Sequence, residues 1–189
     1  LTAALLSFFA IEYLIFEEVH LYTYDFLAER VGFKLGWGCM AYYPYFYVLP
    51  LWSVVHLPDP GTPAGGLIMY GLLFFVSWIL SRGANLQKYY FKKDPGRPFL
   101  GIVPEILTDG NKTLLVNGFW GLSRHINYLG EIGQAVAIVL CAGYPGSIWP
   151  WLYPLYYVAL LFPRQIADDR LCAAKYGSLW EQYRKKVPR

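Results

Sequence analysis

The sequence has few charged residues and few residues that could ligate a metal or pair in disulfides. Only 15% of its 189 residues are charged. Its three cysteines, Cys39, Cys141 and Cys172, form no Cys-x-x-Cys pair and have no ligand spacing with the three histidines. A disulfide framework and a metal site are therefore not expected. The net charge of +3 is small and no basic helix is present, so nucleic acid is not an expected partner.

The chain is instead rich in apolar and aromatic residues. Hydrophobic residues make up 56% of it and aromatics 19%, with 17 Tyr and 7 Trp, and its mean hydropathy is positive. This composition is typical of polytopic membrane proteins, whose Tyr and Trp collect where hydrocarbon meets headgroup. The chain begins at Leu1, without Met and already inside an apolar run. We therefore expect it to be the C-terminal fragment of a longer protein.

Five apolar stretches are long enough to cross or nearly cross a bilayer, which takes roughly 20 residues per helix. All sixteen Lys and Arg residues lie in, or at the ends of, segments 17–36, 82–124 and 164–189. Five alternating crossings place these segments on one side, and the bias of basic residues predicts that this side is cytoplasmic. The fold class is therefore predicted as an all-α polytopic membrane bundle with cytoplasmic helical segments. The stretches are about 1–16, 37–55, 64–81, 128–142 and 148–162.

A pair of lysines follows the third apolar stretch. Lys88 and Lys92 lie one turn apart on the same face of a predicted helix, which Pro95, Gly96 and Pro98 then end. The pair is either a membrane-flanking basic patch for lipid headgroups or a clamp for phosphates, to which lysine contributes a point charge. A Gly-x-Gly-x-x-Gly turn is missing from the chain, so a Rossmann domain is not expected. Any nucleotide would have to be held by the helical bundle itself.

Four side chains recur at every fourth position of a helix that continues the last crossing: Arg164, Asp168, Cys172 and Tyr176. This spacing predicts a stripe along one helix face. One interpretation is a solvated face with a weak Arg–Asp pair. The other interpretation is the wall of a polar cleft, which is favoured because a cation, a carboxylate, a thiol and a phenol lie in line. Asp169 and Arg170 would then be solvated companions on another face. Segment 117–130 would be the facing wall, because a helical hairpin with a short turn could bring both to one membrane face.

Three motifs resemble those of a known family. In chain order they are Asn85-x-Gln87-Lys88-x-x-Phe91, then Gly121-x-x-Arg124-His125-x-Asn127-Tyr128-x-Gly130, then Arg164…Asp168-Asp169…Cys172-x-x-Lys175-Tyr176-Gly177…Trp180…Tyr183…Val187-Pro188. Glu17-Glu18, Asp25, Gly32-Phe33 and Trp37-Gly38 fit the same pattern. The chain resembles, over nearly its whole length, the sterol reductases of the C14, C7 and C24(28) types and the membrane domain of the lamin B receptor, the C14 type most of all. After the Trp-Gly pair the family usually has Asp, where this chain has Cys39. At position 92 the family often has Arg, where this chain has Lys.

The resemblance implies NADPH-dependent reduction of a sterol carbon–carbon double bond, C14=C15 as the first guess, in sterol biosynthesis. An isolated alkene accepts hydride poorly, so a proton must be delivered as well. It implies one membrane domain over 1–189, with 1–81 as sterol-facing helices and 82–189 binding the cofactor. The partners would be a sterol within the bilayer, NADPH from the cytoplasmic side, and lipid. The location would be the endoplasmic reticulum or inner nuclear membrane in a eukaryote, or the cytoplasmic membrane in a bacterium.

The resemblance also implies roles for single residues. Phosphate and ribose contacts fall to Lys88, Lys92, Arg124 and Arg164. The nucleotide pocket would be shaped by Trp120, His125, Asn127 and Tyr128, with Leu114 against an apolar part. Asp168, Cys172 and Tyr176 would lie near the nicotinamide. The expected catalytic residues are Asp168, Tyr183 and Tyr176, with Asp168 or Tyr183 as the proton donor. Burial would raise the pKa of Asp168 and Arg164 would lower it.

Two alternatives belong to other classes. Isoprenylcysteine carboxyl methyltransferases resemble this chain in an Arg-His-x-x-Tyr-x-Gly turn followed by a hairpin and a polar helix. They usually carry Pro after the His and a Glu pair in the last helix, where this chain has Ile126 and Asp168-Asp169. The other alternative is a non-catalytic sterol-binding or scaffold protein of the same fold, which would bind cofactor without turnover.

Overall fold

The computed structural model describes residues 1–23 and 32–188. Asp25, which was named with the family pattern, lies outside the described residues. The described chain is mostly helical, which confirms the helical character of the predicted class. Its helices are α1 (Thr2–Ile15), α2 (Glu17–His20), α3 (Phe33–Trp37), a π-helical turn (Gly38–Tyr42), α4 (Tyr43–Phe46), α5 (Leu49–Trp52), α6 (Ala64–Lys93), α7 (Phe119–Leu122), α8 (Ile126–Cys141), α9 (Ile148–Tyr176) and α10 (Ser178–Lys186).

A small β-hairpin interrupts the helical structure, and the sequence patterns did not predict it. Strands β1 (Ile106–Thr108) and β2 (Thr113–Leu115) pair antiparallel, with Leu107 opposite Leu114. The turn between them is held by the Asp109 carboxylate, which accepts hydrogen bonds from the backbone N–H groups of Asn111 and Lys112. Such side-chain-to-backbone bonds are the usual reason for Asp in a tight turn.

Within residues 1–23 and 32–188, one helix, α6, is both long and apolar enough to span a membrane. Helices α1 and α8 are apolar but have 14 and 16 residues. The predicted crossing at 37–55 is divided into short helices, two of which carry a proline, Pro44 or Pro50, in their first turn. The number of crossings therefore stays a prediction.

Two long helices carry the predicted polar stripes, as expected. Helix α6 has an apolar part, 64–81, and a polar part, 82–93, that includes Lys88 and Lys92. Helix α9 continues unbroken from its apolar part to Tyr176, with Pro154 and Pro163 inside it. Gly177 ends it with a φ of 57°, a conformation that suits glycine. Helices α8 and α9 follow one another through a short turn and form the predicted hairpin.

The core lies between α1, α6, α8 and α9. Phe74 of α6, Ile138 of α8 and Tyr153 of α9 are almost inaccessible and belong to one apolar cluster. The closest approach joins α6 to α8: a Cβ on Gly130 would lie 2.5 Å from the backbone nitrogen of Ser81 and 2.6 Å from the backbone oxygen of Ser77. Small residues on both helices therefore let their backbones come together.

Gly130→Ala is expected to destabilise the full-length protein by about 1–3 kcal/mol, because backbone atoms of α6 must move to admit the methyl group. The measurement is thermal unfolding in detergent, followed by circular dichroism. Gly71→Ala on α6 is the matched control, since nothing lies within 4 Å of its Cβ position. This control should melt at or above the wild-type temperature, because Ala favours a helix over Gly by about 1 kcal/mol. Equal melting of the two variants would contradict the close contact.

Candidate functional site

Lys88 and Asp168 face one another from the polar parts of α6 and α9. Burial lowers the pKa of Lys88, and the charge of Asp168 opposes that fall. Burial likewise raises the pKa of Asp168, and the charge of Lys88 opposes that rise. The Lys88 ammonium also lies 5.6 Å from the centre of the Trp120 ring, within the range of a cation–π contact. The predicted walls therefore meet, with a cation, an indole and a carboxyl group between them.

Further cations surround this pair. Burial lowers the pKa of Lys92, and the charge of Lys175 lowers it further. Lys92 and Lys175 also both act to lower the pKa of Lys88. Three ammonium groups that disfavour one another's charge are a suitable environment for an anion such as phosphate. Lys175 was missed as a candidate site residue, although it lies within the last motif and only three positions after Cys172.

The thiol of Cys172 is part of the same cleft. Burial raises the pKa of Cys172 to about 12, and the charge of Asp168 adds to the rise. The thiol therefore stays protonated at neutral pH and is a poor nucleophile. Arg164, one turn before Asp168 on α9, is close enough to act against the raised pKa of that carboxyl. Asp168 and Cys172 of the predicted stripe therefore lie within electrostatic reach of Lys88, and Arg164 lies within reach of Asp168. That the stripe forms the wall of a cleft stays a prediction.

The loop that carries Trp120 is tied to α6 by Gln87. The Gln87 side chain donates from Nε2 to the backbone oxygen of Asn117 at 3.2 Å and accepts from the Phe119 N–H at 3.0 Å. Gly118 between them has a φ of 65°, and a Cβ there would lie 2.2 Å from Gln87 Nε2. Trp120 Nε1 donates to the backbone oxygen of Ala84 at 2.8 Å. Gln87 is therefore a positioning residue; its place in a motif was the only sequence signal for it.

The entrance of α8 supplies another part of the site. Asn127 Nδ2 donates to Asn85 Oδ1 at 3.3 Å, so α6 and α8 are joined through two amides. The Oδ1 atom of Asn127 is buried and has no hydrogen-bond partner among the described residues, which leaves an acceptor for a ligand. The His125 ring stacks on Tyr128 with centres 5.2 Å apart.

Asp169 is not the solvated companion that the helix pattern predicted. Arg124 Nη1 donates to Asp169 Oδ1 at 3.1 Å, and the side chains of the two are 7% and 23% exposed. The Arg124 backbone N–H also donates to the Pro188 carbonyl at 3.0 Å. The expectation failed because a helical period shows which residues share a face, and Arg124 of a distant segment covers this one.

The C-terminal helix forms an aromatic cluster beside the cleft. Trp180 stacks on Tyr183 with ring centres 4.9 Å apart and on Tyr176 at 6.3 Å. Leu114 and Cys172 pack against the same cluster. Burial raises the pKa of Tyr183, and Arg124 opposes the rise. The β-hairpin therefore brings Leu114 to the predicted site residues Cys172, Tyr176 and Tyr183.

Comparisons with known proteins agree with these motifs. The model of the ergosterol biosynthesis ERG4/ERG24 family matches residues 1–189. The chain is 39% identical over 183 residues to a Delta(14)-sterol reductase of Methylotuvimicrobium alcaliphilum, which covers 96% of this chain and 42% of the relative. It is 36% identical over 183 residues to one of Arabidopsis thaliana, covering 96% and 48%. It is 39% identical over 174 residues to Delta(14)-sterol reductase TM7SF2 of Mus musculus, covering 92% and 41%. The chain thus spans less than half the length of these relatives.

The two adjacent carboxylates are expected to respond oppositely to amidation. Asp169→Asn leaves the buried Arg124 guanidinium without its anion and should cost about 1–3 kcal/mol of unfolding free energy. Asp168→Asn should leave stability at neutral pH unchanged or higher, because burial already disfavours the charged form of Asp168. Thermal unfolding of both full-length variants measures the difference.

The pH dependence of Asp168→Asn is a second readout. Since the folded-state pKa of Asp168 is raised, the wild type loses stability as pH increases from the ordinary carboxyl pKa through the raised one. The Asp168→Asn variant lacks this loss, so the two melting temperatures should converge at acid pH and separate above it. Curves that stay parallel at every pH would show that this carboxyl is not buried.

Proposed function

The chain belongs to the ergosterol biosynthesis ERG4/ERG24 family, and from this premise we propose that the full protein is an enzyme that uses NADPH to reduce a sterol double bond, C14=C15. The name Delta(14)-sterol reductase, carried by the relatives described above, supports the reaction and the bond. The observation that carries the proposal is the cleft itself. A partly buried carboxyl, Asp168, lies within electrostatic reach of Lys88 and Arg164.

The residues of the cleft fit a dinucleotide with phosphates. Lys88, Lys92 and Lys175 supply positive charge, and Arg164 adds to it from α9. The unpartnered Oδ1 of Asn127 is an acceptor that suits a ribose hydroxyl or an amide of the cofactor. Trp120, held by Ala84, offers an aromatic face. His125 and Tyr128 extend this wall, and Leu114 supplies its apolar part. Arg124 acts on this site through Asp169, which it fixes on α9.

Asp168 is the proposed proton donor. Its raised pKa means that the carboxyl keeps its proton at a higher pH than an exposed carboxyl does. The O–H bond of Asp168 breaks as a C–H bond forms at one alkene carbon, and the other carbon becomes electron-deficient. Bound NADPH would supply the hydride that this carbon requires. Tyr183 is the less suitable donor, since burial makes its phenol a weaker acid, and Tyr176 orders the aromatic cluster beside it.

The proposed topology places this cleft on the cytoplasmic side of a multi-pass membrane protein. Arg82 pairs with Glu12 at 2.6 Å, and further along both segments Lys93 pairs with Glu18 at 2.6 Å. Helices α1 and α6 therefore run side by side in the same direction, as a first and a third crossing must. The sterol would reach the cleft from the bilayer. The membrane would be the endoplasmic reticulum or inner nuclear membrane in a eukaryote, and the cytoplasmic membrane in a bacterium.

The activity is tested with the full-length protein in detergent, NADPH deuterated at the nicotinamide, and Δ14, Δ7 and Δ24(28) sterols. Mass spectrometry should find one deuterium in the product of the Δ14 sterol alone. A product from another sterol would change the assigned bond. Saturable NADPH binding without any product would favour the scaffold alternative, and binding of S-adenosylmethionine instead of NADPH would favour the methyltransferase.

Lys88→Gln and Lys92→Gln are each expected to raise the Kd for NADPH about tenfold, which corresponds to about 1.4 kcal/mol. The reason is the loss of one positive charge near the phosphates. Lys93→Gln is the matched control, because Lys93 lies beside Lys92 but pairs with Glu18 on another side of α6. Equilibrium binding to the full-length protein measures all three. Equal weakening by Lys93→Gln would mean that general surface charge, rather than the cleft, attracts the cofactor.

Asp168→Ala is expected to keep NADPH binding within about threefold of wild type while lowering kcat by at least about a hundredfold, as for loss of a general acid. In the wild type, kcat should fall as pH rises through the raised pKa of Asp168, since the donor must be protonated. Binding and turnover lost to the same degree would assign Asp168 to cofactor binding or folding instead.

A further inference from the structure

A tight turn with an apolar tip follows α6. The Phe99 N–H donates to the Ile102 carbonyl at 3.0 Å, and the Ile102 N–H donates to the Phe99 carbonyl at 2.9 Å. The two residues between them, Leu100 and Gly101, have φ angles of 50° and 78°. A two-residue turn with both central φ angles positive normally carries Asn-Gly or Asp-Gly, because these residues tolerate the left-handed conformation. We refer to residues 99–103 as the apolar turn.

Leu100 is neither a residue that this turn favours nor a residue that packs in the protein core. Among the described residues it is the one non-glycine with a positive φ, and its side chain raises the energy of that conformation. Leu100 is also 76% exposed and Val103 is 68% exposed. An apolar side chain in water contributes no hydrophobic stabilisation. Exposure of Leu100 to water therefore does not offset the strain of its backbone. Neither packing within the described chain nor turn preference accounts for leucine here.

The apolar turn packs against the polar part of α6 through the Phe99 ring. The Phe99 ring centre lies 6.4 Å from that of Phe119. The Phe119 ring in turn lies against Gly83, where a Cβ would come within 2.4 Å of it. Gly83 follows the apolar part of α6, which ends at Ser81. The Phe99 ring also lies 5.8 Å from that of Tyr90. The chain therefore leaves α6 at Lys93 and folds back along the polar part of α6, towards the level at which α6 would leave the hydrocarbon.

The charges around the apolar turn suit a lipid surface. Lys93, the last residue of α6, and Arg97, between α6 and the turn, are exposed. The Arg97 guanidinium lies 4.8 Å from the centre of the Tyr90 ring, so its position is defined by an aromatic neighbour. Apolar side chains flanked by cations are the pattern of segments that rest in the headgroup region, because the cations meet anionic headgroups while the apolar groups leave water.

We propose that the apolar turn inserts Leu100 and Val103 into the boundary between headgroups and acyl chains of the cytoplasmic leaflet. The lipid surface offers Leu100 an apolar environment that the described chain does not, and this offsets the strain of its backbone. The contact would anchor the connection between α6 and Trp120 at a fixed height above the bilayer. The inference rests on the membrane crossing of α6 within the proposed function and is independent of the reduction.

The test places a photoreactive p-benzoylphenylalanine at one position of the full-length protein in vesicles of phosphatidylcholine and phosphatidylglycerol. Leu100 is the test position. Asn111, in the exposed turn between β1 and β2, is the control, because Lys112 beside it reaches the carbonyl of Lys175, far past the apolar part of α9. Irradiation followed by mass spectrometry should give at least about five times more lipid adduct at position 100 than at 111.

A third position separates failure of this inference from failure of the proposed topology. Leu72 lies in the apolar part of α6 and is 62% exposed. Lipid adducts at 72 but not at 100 would overturn the inference alone. A cross-link from position 100 to another segment of the full chain would overturn it too, since protein would then cover the tip. Adducts at neither 72 nor 100 would overturn the membrane crossing as well.

A second probe keeps the test valid if substitution of Leu100 disturbs folding. The reagent at Val103 leaves the strained residue intact and should give the same excess of lipid adduct over Asn111. In a Leu100→Asn background that excess should fall at least about threefold, because the apolar tip is lost while the turn is retained. An unchanged yield at 103 would show that the tip does not hold the turn at the membrane.

Discussion

The close approach of α6 and α8 is the contact on which the rest of the structure depends. Gly130 and Gly133 leave room for the backbone and side chains of Ser77 and Ser81, and the Ser81 hydroxyl donates to Glu131 across the same interface. Because no bulky side chain separates α6 from α8, the two helices stay in close contact up to the polar part of α6. The amides of Asn85 and Asn127 then meet, and the loop before α8 is held within reach of Gln87 and Ala84. The residues of the proposed cleft are thus brought together by backbone proximity at the edge of the bundle.

The buried ion pair between α1 and α6 plays a related part. Arg82 and Glu12 are both 7% exposed, and the guanidinium also lies 5.0 Å from the centre of the Phe16 ring. Burying such a pair seldom adds net stability, but separating it is unfavourable, because a lone charge would remain inside. Its effect is therefore to specify one rotation and one height of α1 along α6. This fixes α1 beside α6 at a point that precedes Lys88 and Lys92 along the helix.

The features that could be predicted from the sequence are those that depend on the spacing of residues along a single helix. The lysines of α6 and the stripe of Arg164, Asp168 and Cys172 were assigned correctly to helices because four-residue spacing is a property of the helix itself. The pairing of Asp169 with Arg124, the β-hairpin that carries Leu114, and the approach of Lys175 to Lys92 were not predicted. Each of these depends on where a distant segment lies, and a single sequence does not contain that distance. The motifs indicated Gln87 but gave no reason for it; the reason is the loop that it binds.

The cleft contains an electrostatic conflict that its geometry resolves. Cations that attract phosphates also stabilise a nearby carboxylate, and so they act against a carboxyl that must keep its proton. In this structure burial dominates: the pKa of Asp168 is raised although Lys88 and Arg164 oppose the rise. An anion that neutralises the lysines would remove the opposition of Lys88, while that of Arg164 would remain. The lysines that would hold phosphates would therefore couple occupancy of the proposed cleft to protonation of Asp168. A bound anion would raise the pKa of Asp168 further and stabilise its protonated form.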